Sequence, residues 1–140
     1  EISTRDWSSD VCSSDLTGKV IAADLQKGML EKLRQKIKGT ALESNIIFHQ
    51  CQEENIGITE KIDFILAFYM IHEVPNHDKL FQELYSILQM NGRILIVEPM
   101  FHVSGKSFEN MLNKVKGIGF EIIDRPKSFL NRSVILVKKK

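Results

Sequence analysis

The sequence predicts an α/β fold: a mostly parallel sheet with helices between its strands, ending in an antiparallel hairpin. Three observations predict it. From Thr17 onward, short apolar runs alternate with amphipathic stretches of helical period. The runs are nearly continuous in Val, Ile and Leu, as strands covered on both faces require. The last two runs are joined by the short stretch 125–132 with no helix, and so short a connection makes antiparallel neighbours.

Lys19–Asp24 reads as a buried strand after the Thr17-Gly18 turn. Met29, Leu30, Leu33 and Ile37 recur at helical spacing among Lys and Arg, which places a helix over residues 26–38 with Gly39 as its stop. Asn45–Cys51 is the next strand, and Ile62–Phe68 follows after a polar loop. Pro75-Asn76-His77-Asp78 opens a helix whose apolar face is Leu80, Phe81, Leu84, Ile87 and Leu88, and Asn91-Gly92 ends it. Arg93–Glu98 is a strand stopped by Pro99. Ser107 caps a helix with Phe108, Met111, Leu112 and Val115 toward the core, closed by Gly117 and Gly119. Phe120–Asp124 and Ser133–Val137 make the hairpin.

The first sixteen residues read differently. Asp6–Leu16 back-translates without a break onto one strand of a widely used short-read sequencing adapter, and Glu1-Ile2 and Arg5 fit the codons upstream of it. Composition alone, as in a Ser/Asp-rich disordered arm, does not fix eleven consecutive codons. Residues 1–16 are therefore expected to be a non-native arm that packs poorly, and 17–140 the domain. The arm sets Arg5 against Glu1, Asp6, Asp10 and Asp15, a net of −3, so the rest carries +4 of the chain's +1. A mildly basic domain without a clustered basic face gives no case for nucleic acid. Lys138-Lys139-Lys140 reads as a solvated end. No apolar run reaches transmembrane length, so no membrane partner is expected. Cys51 stands alone outside the arm, with no disulfide framework or metal spacing, and a reducing cytoplasm is the expected location.

In an open α/β sheet, ligands sit beyond the carboxyl ends of the strands. Asp24 closes the first strand of the domain, where an acid either accepts hydrogen bonds from ribose hydroxyls or caps the following helix. Gln52-Glu53 can meet an adenine edge or form an ordinary polar loop. Small Ala67 lets a ligand approach the backbone, and Phe68 with the aromatic after it can wall a pocket or pack as a buried crossover. Glu98-Pro99 closes a strand at the same edge. His72 is a candidate base, with His102 and Tyr69 behind it; a lone His more often packs or caps a helix. His49, within a strand, reads as structural.

With these residues laid out, the chain from Thr17 onward resembles the class I S-adenosylmethionine-dependent methyltransferases. Gly18–Asp24 is similar to their second strand with its ribose-binding acid. Ile47–Glu53 resembles the strand whose polar end meets adenine, with Gln52 where Asp is usual. Asp63–Val74 resembles the motif with a His-His or His-Glu pair before Val, here His72-Glu73. Gly92–Pro99 resembles the fifth strand, and Gly119-Phe120-Glu121 the entry to the final hairpin, which sets the family apart from nicotinamide dehydrogenases. The resemblance implies a Rossmann-like fold, S-adenosylmethionine as cofactor of the parent protein, and cofactor contacts from Asp24, Leu25, Gln52, Glu53, Ala67 and Phe68. It also exposes a gap. The family's first strand, glycine-rich loop and following helix have no counterpart here, and Gly18, Gly28 and Gly39 do not form the loop's spacing. The missing strand belongs in mid-sheet, so its neighbours must pair with each other or capture part of the arm.

The expected function is methyl transfer to a small-molecule acceptor by the parent protein, with the chain as given inactive. Two alternatives stay open: a cofactor-free Rossmann-like binding domain, and a nicotinamide-dependent oxidoreductase motivated by Asp24 alone. The short stretch 100–106 after the fifth-strand match disfavours a large macromolecular acceptor. The acceptor atom and the oligomeric state are not legible.

Overall fold

The computed structural model describes residues 2–5, 20–24, 26–52, 55–127 and 129–138, the first group by backbone alone. In chain order the elements are β1 (Ile2–Arg5), β2 (Val20–Asp24), α1 (Lys27–Ile37), β3 (Ile46–Gln50), β4 (Ile62–Phe68), α2 (His77–Ile87), β5 (Leu88–Pro99), α3 (Gly105–Ile118), β6 (Phe120–Asp124) and β7 (Asn131–Lys138). Short 3-10 turns at Glu43–Asn45 and Ile71–Glu73 lead out of α1 and β4. The strands form one seven-stranded sheet in the order β3-β2-β1-β4-β5-β7-β6. β2 runs parallel to β3 and β4 to β5, while β7 lies antiparallel between β5 and β6. The expected α/β sheet with a terminal antiparallel hairpin is thus observed, but the sheet is mixed and not mostly parallel, because β1 joins its two parallel pairs by antiparallel pairing.

β1 fills the mid-sheet gap. Its backbone pairs with β2 on one side, Ile2 opposite Ala23 and Arg5 opposite Val20, and with β4 on the other, Ile2 opposite Ala67. Of the two outcomes open to strands left with bare edges, capture of the arm is the one seen. The expectation that all of residues 1–16 pack poorly does not hold for the backbone of Ile2–Arg5. Both of β1's pairings are antiparallel, and they give the facing edges of β2 and β4 backbone partners.

The core lies where α2 and α3 cover the sheet. Phe81, Leu84, Leu112 and Val115 are buried against Ile65, Ile94, Ile96, Val134 and Leu136. The spacing of these residues on each helix is the apolar stripe expected from sequence. Leu30 and Ile37 of α1 are buried apart from that cluster, where α1 meets β2 and β3. No helix among the described residues is long and apolar enough to cross a membrane.

Three boundaries differ from expectation. α2 ends at Ile87, and Leu88 already pairs with Ile62, so Asn91-Gly92 lies inside β5 and not at a helix end. There Asn91 takes φ 65°, and a Cβ on Gly92 would come within 2.7 Å of the Gln89 carbonyl oxygen, so the pair shapes an irregular stretch of strand. The α3 cap is Ser104, whose hydroxyl accepts the Ser107 N–H at 3.1 Å. Ser107 is thus the capped residue. Gly117 lies within α3, and Gly119 alone closes it, at φ 130°. Finally, Lys138 is buried and not solvated. Its ammonium donates to the carbonyls of Tyr85 and Leu88 at 2.6 and 2.9 Å, where the end of α2 gathers partial negative charge.

Candidate functional site

Parallel pairing brings the carboxyl ends of β2 and β3 together, and those of β4 and β5. Asp24 is half-buried at the end of β2. Its backbone carbonyl accepts the Cys51 N–H at 2.8 Å, tying the two strand ends together. One oxygen of its carboxylate accepts the Gln26 N–H at 2.9 Å. Gln26, not Asp24, is the N-cap residue of α1, and it caps without its side chain. Asp24 is therefore left with an oxygen that no described residue engages through a hydrogen bond or ion pair.

Gln52 and Asn55 exchange backbone hydrogen bonds of 2.9 and 3.3 Å, closing the loop after β3. His49 reaches from β3 to the Ile56 carbonyl oxygen at 2.6 Å, and Glu83 of α2 accepts the Ile56 N–H at 2.8 Å. The structural role expected of His49 is thus what the geometry shows. Between this loop and the start of α2 lies a cavity of about 780 Å³, lined among others by Ala23, Asp24, Cys51, Gln52, Asn55 and Met70. Burial, and then the charge of Asp24, push the Cys51 thiol up to about 11, so it stays a neutral thiol in the cavity wall.

The other sequence-derived positions divide. Ala67 is fully buried in the core beside Ile2 and Ile96, and it does not line the cavity. Phe68 stands 45% exposed and stacks on Tyr69, ring centroids 4.2 Å apart, outside the cavity. Met70, three residues on, does line the cavity. Leu25 and Glu53 lie outside the described residues.

A second cluster forms at the ends of β4 and β5. The backbone of Tyr69 turns out of β4 at φ 55°, a left-handed value unusual for a non-glycine residue, and its hydroxyl donates to the Asn131 side chain. The 3-10 turn that follows delivers Ile71 and His72 to Glu98. Glu98 is 1% exposed. One of its oxygens accepts the Ile71 N–H at 2.8 Å, and the other lies 2.5 Å from His72 Nδ1. The His102 ring stacks on His72, with centroids 5.7 Å apart. His72 is thus not a lone histidine. Its partner is the residue that closes β5, and the only signal in sequence was an acid ending an apolar strand at the ligand edge. No group of metal-ligating side chains large enough to hold an ion occurs among the described residues.

Comparison with known proteins bears on what such an edge holds. A model of the methyltransferase domain family matches residues 6–96. The match begins inside the stretch that reads as adapter. The ubiquinone/menaquinone biosynthesis C-methyltransferase of Haemophilus ducreyi is 29% identical over 110 residues, which cover 73% of this chain and 42% of that protein. The chain thus spans about two-fifths of the length of this curated relative. Among solved structures, a methyltransferase from Aquifex aeolicus that depends on S-adenosylmethionine superposes with a TM-score of 0.73 at 18% identity, over 85% of this chain and 68% of that one. Another from Mesorhizobium loti gives 0.70 at 12% identity, over 84% and 79%. At these identities the structural likeness shows the fold.

S-adenosylmethionine, the cofactor implied by these relatives, fits the site in one half. Asp24 offers a carboxylate oxygen and Gln52 an amide at the rim of a cavity of suitable size, as ribose and adenine require. The methionine half finds no matching cradle among the described residues. β1 starts at the carboxyl edge, opposite Ala23 and Ala67, and finishes opposite Val20 at the far edge.

Proposed function

The chain belongs to the methyltransferase domain family, and from that premise we propose that the protein of which it is part methylates a small-molecule acceptor. The observation that carries this is the placement of Asp24 and Gln52 on one cavity at the ends of two adjacent parallel strands. Asp24 would accept hydrogen bonds from the ribose hydroxyls and Gln52 would meet the adenine edge, with Leu25 and Glu53 beside them in sequence. S-adenosylmethionine supplies an electrophilic methyl on a sulfonium with a good leaving group, so the protein's main task is alignment. His72 is the residue that would take a proton where the acceptor has one to lose. A reducing cytoplasm suits the neutral Cys51 thiol in the cavity wall.

The chain as given we read as inactive, with residues 17–140 the domain proper. The sequence supports this, because Gly18, Gly28 and Gly39 do not form the spacing of the glycine-rich loop that meets the methionine half in the family. Titration calorimetry with S-adenosylhomocysteine and with adenosine tests it. Both ligands should bind weakly and alike, since only the shared adenosine half has partners. Micromolar affinity for S-adenosylhomocysteine with much weaker adenosine binding would overturn it. A cofactor-free binding domain is the second reading, favoured by a sheet that β1 completes without any glycine loop. Sharp cooperative thermal unfolding with no ligand response would support it.

A further inference from the structure

We infer that the loops at residues 99–106 and 125–132 form a tip that docks onto an anionic lipid surface, with Phe101 and Phe129 entering the interface and Lys106 and Lys127 meeting the headgroups. The contact is independent of the methyltransferase reading above.

Six of the eleven large hydrophobic side chains exposed among the described residues gather at one edge of the sheet: Phe68 and Tyr69 at the end of β4, Met100 and Phe101 after β5, and Phe129 and Leu130 before β7. Exposed apolar residues scattered singly are ordinary, but a gathered group marks a contact surface. Phe101 is 78% exposed and Phe129 88%, so folding leaves these two rings almost wholly in water. Hydrogen bonds knit the group together. The Met100 N–H donates to the Leu130 carbonyl oxygen at 2.9 Å, Pro99 sits opposite Asn131 in the β5–β7 ladder, and the Tyr69 hydroxyl donates to the Asn131 side chain. Arg132 Nε donates to the Val103 carbonyl oxygen at 2.8 Å, a second tie between the two loops. Leu130 keeps φ 62°, a left-handed value that costs a leucine energy and persists only where its surroundings hold it.

Charge selects the partner. The two loops carry Lys106, Arg125, Lys127 and Arg132, and no Asp or Glu. Arg125 is paired with Glu109, and Asp124, just before the second loop, accepts the Arg125 N–H at 2.8 Å. Lys106 and Lys127 are exposed and have no described ion pair. Aromatic rings beside lysines suit the boundary of an anionic bilayer, where rings enter the headgroup level and ammonium groups meet phosphates. The apolar centre of a protein–protein interface is depleted of lysine, so a protein partner suits this mixture less well. The expectation of no membrane partner came from the absence of a spanning run, and a tip that lies on the surface needs none.

Sedimentation of the full chain with lipid vesicles is the test. Wild type should sediment with vesicles of phosphatidylcholine and phosphatidylserine, much less with phosphatidylcholine alone, and should be released from the mixed vesicles as salt rises. Lys106→Gln with Lys127→Gln should weaken binding to the mixed vesicles about thirty-fold, from about five-fold for each cation near an anionic surface. Lys32→Gln with Lys36→Gln removes the same charge from the exposed side of α1 and should change binding little. Phe101→Ser with Phe129→Ser should weaken it at least about a hundred-fold, from roughly ten-fold or more for each ring withheld from apolar contact. Both rings are exposed in the folded chain, so the melting temperature should stay at the wild-type value. Failure of wild type to bind the mixed vesicles overturns the inference. So does an equal loss from the two lysine pairs, which would mean that net charge alone drives binding, and so does a phenylalanine pair that binds like wild type. A wild-type dimer in size-exclusion chromatography that the phenylalanine pair dissolves, with no vesicle binding, assigns the tip to a second copy of the chain and overturns the lipid partner.

Discussion

The Lys138 ammonium lies 4.4 Å from the centre of the Tyr85 ring and donates to that residue's own carbonyl oxygen at 2.6 Å. One side chain from the last strand thus holds both the ring and the backbone at the end of α2. Lys138→Ala would leave the Tyr85 and Leu88 carbonyls short of a partner in a buried setting. A loss of about 1–3 kcal/mol is expected in denaturant unfolding. Burial, and then the charge of Lys61, lower the Lys138 pKa from its ordinary value. In the alkaline window between the lowered and the ordinary value, the unfolded chain holds more protons than the folded one. The stability difference between wild type and Lys138→Ala should therefore grow as pH rises through that window and be flat below it.

The same tyrosine limits Gly119. A Cβ built there meets the Tyr85 ring and hydroxyl oxygen at 3.0 to 3.2 Å, on a backbone at φ 130°. Gly119→Ala carries both the strain of that conformation and a clash with a ring that Lys138 and Phe120 hold in place. It should cost about 1–3 kcal/mol in thermal or denaturant unfolding. Gly117→Ala, a helical position with open space around a Cβ, should be neutral or slightly stabilising. If the two variants unfold alike, the close approach to Tyr85 is wrong.

Much of this was legible in the sequence because it depends on local pattern. The β4 limits Ile62–Phe68, the α3 core face and the terminal hairpin follow from apolar spacing and a short connection. What failed needed neighbours in space. Leu88 continues the apolar stripe of α2, yet pairing with Ile62 claims it for β5. Lys138 looks solvated until α2 offers it two carbonyls. Ala67 looked like an opening for a ligand because it is small, but its size serves a fully buried place beside β1. His72 and Glu98 are 26 residues apart in sequence, and only the sheet brings them together. Asp24 was legible as a position, since it ends a strand. That its helix is capped by Gln26 was not.

Asp24 gives a direct test of the cavity. One of its oxygens holds the Gln26 N–H, and the other faces no described hydrogen-bond partner. If that oxygen serves a ribose, Asp24→Asn should weaken adenosine binding roughly ten- to a hundred-fold, the scale of one hydrogen bond to a charged group at about 1.5–3 kcal/mol. Folding should change little, because Asn can still accept the Gln26 N–H. Adenosine titration followed by NMR, beside a thermal melt, separates the two effects. Equal affinities would remove Asp24 from the site.

The direction of β1 carries the sharpest physical consequence. Thr4 sits opposite Ile21 on β2 and Ile65 on β4, in the middle of the sheet. A strand inside a sheet gives its N–H to one neighbour or the other, so Thr4→Pro removes a ladder hydrogen bond and brings a ring against the adjoining strand. The expected cost is about 3 kcal/mol, the scale of proline in a regular element. Such a loss is a large share of the total stability of a domain of this size. Hydrogen exchange reads the same point without mutation. Amides in Ile2–Arg5 that donate to β2 or β4 should be protected to nearly the level of β2 itself, because opening β1 exposes both β2 and β4. Exchange at the rate of free peptide, with a Thr4→Pro melt equal to wild type, would mean that β2 and β4 have another way to satisfy their edges.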